Sequence, residues 1–127
     1  MKSRRASPIM LVKKKNGKLR LCPHYRALNE VTKKDRHPLL LIGEALVRLG
    51  VAKFFTKLDI KDTHHNIRIR NGDEWKTPFS MKLGTNKYLV MPFGLCNAPE
   101  AFQRWINEVF MEHIDISCIV YLDDVLI

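Results

Sequence analysis

Tyr121-Leu122-Asp123-Asp124 sits between two apolar runs, Ile116 to Leu122 before the acids and Val125-Leu126-Ile127 after them. The runs read as two buried-type strands joined by a tight acidic turn. Adjacent carboxylates repel each other, and Asp-Asp suits a two-residue turn less well than Asn-Gly. A fold keeps such a pair when a cation compensates it, and hard divalent cations such as Mg²⁺ take oxygen ligands. The plainer alternative is a polar surface turn, where Asp is common. A third acid bears on the choice. Asp59 is the lone carboxylate in Phe54-Phe55-Thr56-Lys57-Leu58-Asp59-Ile60, and it precedes Asp123 by 123 − 59 = 64 residues. Only the fold can bring the two segments together. If their strands lie side by side, three carboxylates share one sheet edge and can bridge two metal ions, which suits phosphoryl transfer. The alternative for Asp59 is pairing with Lys57 or Lys61, and Asp62 reads as a solvated loop acid.

Outward from these acids, short strands alternate with helices. Ile9 to Val12 and Leu19-Arg20-Leu21-Cys22 flank a lysine-rich Asn16-Gly17 turn and predict a β-hairpin. Pro38 opens a helix whose apolar face is Leu39, Ile42, Leu46 and Leu49, with Gly50 as its stop. Lys53 to Ile60 predicts a strand, as do Ile67 with Ile69, Trp75 to Phe79, and Tyr88 to Met91; Asn71-Gly72 marks another turn. Asn97, Pro99 and Glu100 form a helix start with capping-box spacing, and Phe102, Trp105, Ile106, Val109 and Phe110 make one helical face. The order predicts an α+β fold, an antiparallel sheet with helices packed on one face.

The chain has 127 residues, 46% hydrophobic and 28% charged, which suits one domain with a core. Lys+Arg is 22 against 13 Asp+Glu, a net charge of +9 that favours a polyanionic partner, nucleic acid above all; a solubilising surface is the alternative. The basic start Met1-Lys2-Ser3-Arg4-Arg5 precedes an apolar stretch too short for a secretion signal, and no run reaches membrane-spanning length. Cys22, Cys96 and Cys118 are scattered and odd in number, which argues against a disulfide framework and for a reducing, intracellular setting. His113 and Cys118 lack the second pair of a zinc site.

Several motifs, in order, carry a resemblance. They are Ser7-Pro8 with Val12 to Gly17, Leu19-Arg20-Leu21-Cys22 with Tyr25-Arg26-Ala27-Leu28-Asn29, and Phe55-Thr56-Lys57-Leu58-Asp59. Glu74-Trp75-Lys76-Thr77, Tyr88 to Leu95, Asn97-Ala98-Pro99 with Phe102-Gln103, and Tyr121-Leu122-Asp123-Asp124 follow. From about residue 7 onward the chain resembles the reverse transcriptase domain of gypsy-type LTR retrotransposons. The resemblance implies a polymerase fold of fingers and palm. It implies RNA-directed DNA polymerase activity using two Mg²⁺ ions (or Mn²⁺), deoxynucleotide triphosphates and an RNA or DNA template-primer. Asp59, Asp123 and Asp124 match the catalytic metal-binding acids of that family. Lys14 and Arg20 match fingers residues that hold the triphosphate, for which a planar fork and a mobile point charge are suited. Phe93 and Gly94 match a segment against nucleotide and template, and Gly94 permits close backbone approach. Gln103 and Arg104 match a helix that supports the site and faces template; an ordinary surface helix face is the alternative for them.

The match has departures. His64 stands where the family generally has Tyr beneath the nucleotide sugar, which bears on the exclusion of ribonucleotides. Thr63 stands where Ala is usual, Pro23-His24 where a small apolar residue and Asp are usual, and Thr85-Asn86-Lys87 is atypical. These changes resemble drift in an element copy no longer selected for activity, and an end three residues after Asp124 leads to the expectation of a truncated fingers and partial palm, without thumb or RNase H. The implied setting is intracellular, in cytoplasmic element particles or the nucleus. A catalytically inactive remnant that only binds nucleic acid is the second functional expectation. The sequence carries no sign of oligomeric state.

Overall fold

Alternating apolar residues and tight turns give the described chain short antiparallel ladders. The computed structural model describes residues 6–127; the basic start, residues 1–5, lies outside them. The described chain forms two units. One comprises the described residues up to Lys34 with His64–Ala98, the other Asp35–Thr63 with Pro99–Ile127. Among the described residues the antiparallel sheet predicted from sequence is three small sheets, of two, three and two strands, so the α+β reading holds with the pairing divided.

In the first unit, β1 (Ile9–Lys13) pairs with β2 (Leu19–Pro23), Met10 opposite Cys22 and Val12 opposite Arg20. The predicted two-residue Asn-Gly turn is instead a wider loop. Lys14 N–H donates to Lys18 carbonyl at 2.7 Å and Gly17 N–H to Lys14 carbonyl at 2.9 Å. Gly17 alone in this loop takes a left-handed φ, +80°, which matches a type I turn closed by a glycine bulge. Helix α1 (Arg26–Val31) follows. Its length gives too little periodicity to reveal it in advance. Tyr25 is buried ahead of it, donates its hydroxyl to Thr77 carbonyl at 3.2 Å, and has its phenol pKa raised by burial and by nearby Tyr88.

The strands predicted over Trp75 to Phe79 and Tyr88 to Met91 are displaced. Glu74–Lys76 is a 3₁₀ turn, and the hairpin is β4 (Pro78–Met81) with β5 (Gly84–Lys87), Phe79 opposite Asn86. Pro78 lacks an N–H and so begins a strand rather than continuing one. Tyr88 to Met91 bonds instead to the Ile67–Ile69 stretch: Ile69 N–H donates to Leu89 carbonyl and Met91 N–H to Ile67 carbonyl. That contact is a bridge, Arg68 opposite Val90, not a full strand.

In the second unit, α2 (Ile42–Leu49) starts after Leu41, not at Pro38, and Gly50 ends it at φ −62° without a left-handed turn. No residue of α2 is buried, and of its predicted core face Ile42 and Leu46 are exposed while Leu49 is half-buried. The three-stranded sheet runs β3 (Lys57–Asp59), β6 (Ile119–Tyr121) and β7 (Asp124–Leu126) in the order β3-β7-β6. Its strands are shorter than predicted, for Phe54 and Ile116 lie outside them, 90% and 84% exposed. In helix α3 (Ala98–Val109) Phe102 and Ile106, one turn apart, are buried, while Val109 of the predicted face is exposed. Glu100 Oε2 is buried without a hydrogen-bond partner, so that oxygen makes no capping-box bond. No helix among the described residues is long and apolar enough to cross a membrane.

Candidate active site

β-sheet register sets Asp59 beside the acidic turn that lies far from it in sequence. β3 and β7 are antiparallel, with Asp59 opposite Asp124 and Lys57 opposite Leu126. Thr56 and Ile127 exchange backbone bonds at 2.9 Å, and Ile60 N–H donates to Asp123 carbonyl at 3.0 Å. The alternation makes Asp59 and Asp124 a non-hydrogen-bonded pair, the closer kind, with both side chains on one face. Asp123 sits in the two-residue turn between Tyr121 and Asp124, which also pair.

The positive charge set among these acids is Lys57. Its ammonium lies 3.0 Å from Asp124 Oδ1, as a diagonal neighbour across the strands. Its pKa is raised first by that hydrogen bond and then by the charges of Asp124, Asp59 and Asp123. Lys57 thus pairs with Asp124 rather than with Asp59, the partner weighed from sequence. Among the described residues no three His, Cys, Asp or Glu side chains are gathered as a ready cage. What the fold fixes is the backbone register of the acids. The residues still fit a divalent cation: oxygen donors of the right kind share a face, and a cation already stands against one of them.

Leu122, the other turn residue, is held at φ +51°, a left-handed conformation uncommon for a branched side chain. Gln103 explains how it is kept. Its Oε1 accepts from Leu122 N–H at 2.8 Å, and its Nε2 donates to Asn107 Oδ1 at 2.8 Å and Val120 carbonyl at 3.3 Å. At 2% exposure, Gln103 braces the acidic turn, which agrees with the supporting position on α3 that the resemblance implies for it. Helical spacing showed that it lay on α3 but not that its amide would meet this hairpin.

Arg104, its neighbour, is exposed and ion-paired with Asp35 at 2.6 Å. The hydrogen bond from Arg104 is the main cause holding the Asp35 carboxyl below its usual range. A depressed carboxyl stabilises the fold above its unfolded pKa, and that contribution fades as pH falls through the lower folded value. Arg104→Gln is therefore expected to move the Asp35 titration upward in carboxyl NMR. The stability gap between variant and parent should be present at neutral pH and close in acid. Added salt should shrink it too, since the pair is solvent-exposed.

The nucleotide-binding candidates lie in the first unit. Lys14 and Arg20 line one open groove of about 450 Å³ with Lys13 and Lys15. The Arg20 guanidinium lies 4.5 Å from the Phe93 ring centre, a cation–π distance. The other ring contacts of Phe93 are His64 at 4.8 Å and His65 at 5.5 Å. Gly94 has φ +94°, and a Cβ there would come within 3.2 Å of Pro23 carbonyl, so both the angle and the close approach demand glycine. Contacts thus link Arg20, Phe93 and His64, with Gly94 next in the chain and Lys14 in the same groove as Arg20.

An acidic hairpin turn paired with a third acid, in one chain with a basic hairpin and an aromatic loop, sits in an α+β fold of the class found in reverse transcriptases. The chain belongs to the reverse transcriptase (RNA-dependent DNA polymerase) family, whose model matches residues 12–127. Among curated proteins it is 43% identical over 122 residues to the Transposon Tf2-3 polyprotein of Schizosaccharomyces pombe, covering 96% of this chain and 9% of that protein. The Transposon Tf2-7 polyprotein of the same organism is 42% identical over the same length. These relatives agree with the retrotransposon resemblance read from the motifs. A foamy viral protease-reverse transcriptase in complex with double-stranded DNA shares the fold at TM-score 0.85 and 24% identity, over 95% of this chain and 21% of that one. The same enzyme type in complex with an RNA/DNA hybrid gives TM-score 0.79 at 21% identity, over 99% and 17% of the two chains. The chain thus spans about a tenth of the length of the curated relatives it matches.

Proposed function

We propose that this chain carries the nucleotide-polymerising site of a retrotransposon RNA-directed DNA polymerase, as fingers and part of a palm. The observation that carries the reading is the antiparallel register setting Asp59 opposite Asp124 beside the Asp123 turn. Asp59, Asp123 and Asp124 are the residues that would hold Mg²⁺, with Mn²⁺ as a substitute. When bound, two such ions supply activation of the primer hydroxyl and neutralisation of charge at the leaving pyrophosphate. Lys14 and Arg20 neutralise the triphosphate of a deoxynucleotide, Phe93 and Gly94 form the surface it lies on, and Gln103 keeps the acidic turn in place. The primer 3′-oxygen bonds to the α-phosphorus, the bond to the β-phosphate oxygen breaks, pyrophosphate leaves, and the hydroxyl proton passes to water. His64 lies against Phe93, where the family's Tyr would underlie the sugar. Its smaller ring relaxes the exclusion of ribonucleotides.

A second reading, a chain that binds nucleic acid without polymerising, is favoured by the Lys57 ammonium already paired with Asp124. One experiment separates them: filter binding of a primed template together with primer extension, using deoxy- and ribonucleoside triphosphates in turn. Extension that accepts both sugars supports the polymerase and the role of His64. Strict deoxynucleotide preference rejects the role of His64, and binding with no extension supports the second reading.

A further inference from the structure

The loop after Phe93 is tied down by a side chain that lies 65 positions away in sequence. Asn29, in α1, donates through Nδ2 to Gly94 carbonyl at 2.7 Å and accepts through Oδ1 from Cys96 N–H at 2.9 Å. Its orientation is unambiguous, because only the NH₂ can face a carbonyl and only the oxygen can face an N–H. One carboxamide therefore grips the backbone on both sides of Leu95. A second tie runs the other way: Asn97 Nδ2 donates to Lys33 carbonyl, just beyond the same helix, at 2.8 Å. Gly94 is meanwhile pressed toward Pro23 carbonyl, at the end of β2. Residues 94–97 are thus fastened between β2 and the α1 segment, and Phe93 enters directly from this clamp. Its ring is the one that meets Arg20 and His64.

We infer that Asn29 is a positioning residue for nucleotide binding: its amide sets the 93–96 backbone, and so the place of the Phe93 ring against Arg20. The inference rests on the reading of Lys14, Arg20, Phe93 and Gly94 as the nucleotide site. Asn29 itself need not touch the nucleotide. A hydrogen-bonded amide acting through backbone loses its effect when either arm is cut, so the two arms are separately testable.

The test uses the full 127-residue chain, with amide hydrogen exchange read by NMR and dTTP binding titrated in the presence of Mg²⁺. Asn29→Ala is expected to speed exchange at the Cys96 amide about tenfold, leave amides in α3 and β7 unchanged, and weaken dTTP about tenfold. A merely structural role would loosen amides throughout and leave dTTP affinity where it was. Asn29→Asp keeps the acceptor for Cys96 but sets an oxygen against Gly94 carbonyl. It is expected to retain Cys96 protection and still weaken dTTP, and it serves if the alanine variant does not fold. Unchanged Cys96 exchange in Asn29→Ala overturns the clamp. Unchanged dTTP affinity in both variants overturns its functional role. Failure of the unmutated chain to bind dTTP overturns the nucleotide-site reading beneath it, and is seen before any variant is made.

Discussion

Asp123→Asn is expected to lower primer extension on the order of 10²–10³-fold and to remove the response of the chain to Mg²⁺ or Mn²⁺. Asn has nearly the shape of Asp but lacks the charge that a hard cation requires. Asp123 lies exposed in the hairpin turn, next to Asp124 and near Asp59, so the substitution also relieves like-charge repulsion. The metal-free variant should therefore melt at the same temperature as the parent or above it. Calorimetry with and without Mg²⁺ checks both halves. A metal titration identical in variant and parent would remove Asp123 from the site. A drop in metal-free stability would mean that the acid has a structural partner instead.

Gln103→Leu is expected to reduce stability by about 2–4 kcal/mol, because Leu122 N–H and Val120 carbonyl both lose a partner in a largely buried place. In a chain of this size that corresponds to a fall in Tm of roughly 10 °C. The left-handed Leu122 adds to the effect. Strain of this kind persists only where the surroundings over-determine it, and the Gln103 amide is what does so here. Gln103→Glu keeps an acceptor for Leu122 but loses the donor to Val120 and Asn107 and buries a carboxyl, so it restores little. Thermal melts and primer extension should fall together in both variants. If Gln103 served as a template contact, nucleic-acid affinity would drop while Tm stayed put, and the brace would be the wrong account.

Much of this chain was legible locally. Asn16-Gly17 announced a hairpin, the acidic pair between apolar runs announced an unusual turn, and Phe102 with Ile106 announced the buried side of α3. The motif order announced the polymerase family. These features depend on neighbours within a few residues, through turn geometry, helical period and like-charge repulsion. The misreadings have a shared cause. The strand expected over Tyr88 to Met91 yielded to Gly84–Lys87 because pairing follows the nearest closing turn rather than the apolar pattern alone. The helix face of Ile42 and Leu46 is amphipathic by sequence yet exposed, since periodicity says which residues share a side and not what covers them. Three further matters were decided only in the tertiary structure. They are the register that sets Asp59 opposite Asp124, the turn of Gln103 inward to brace Leu122, and the reach of Asn29 to Gly94 and Cys96. Each joins atoms far apart in the chain, and each depends on backbone and side-chain donors and acceptors from separate segments finding one another, a condition that no single segment carries.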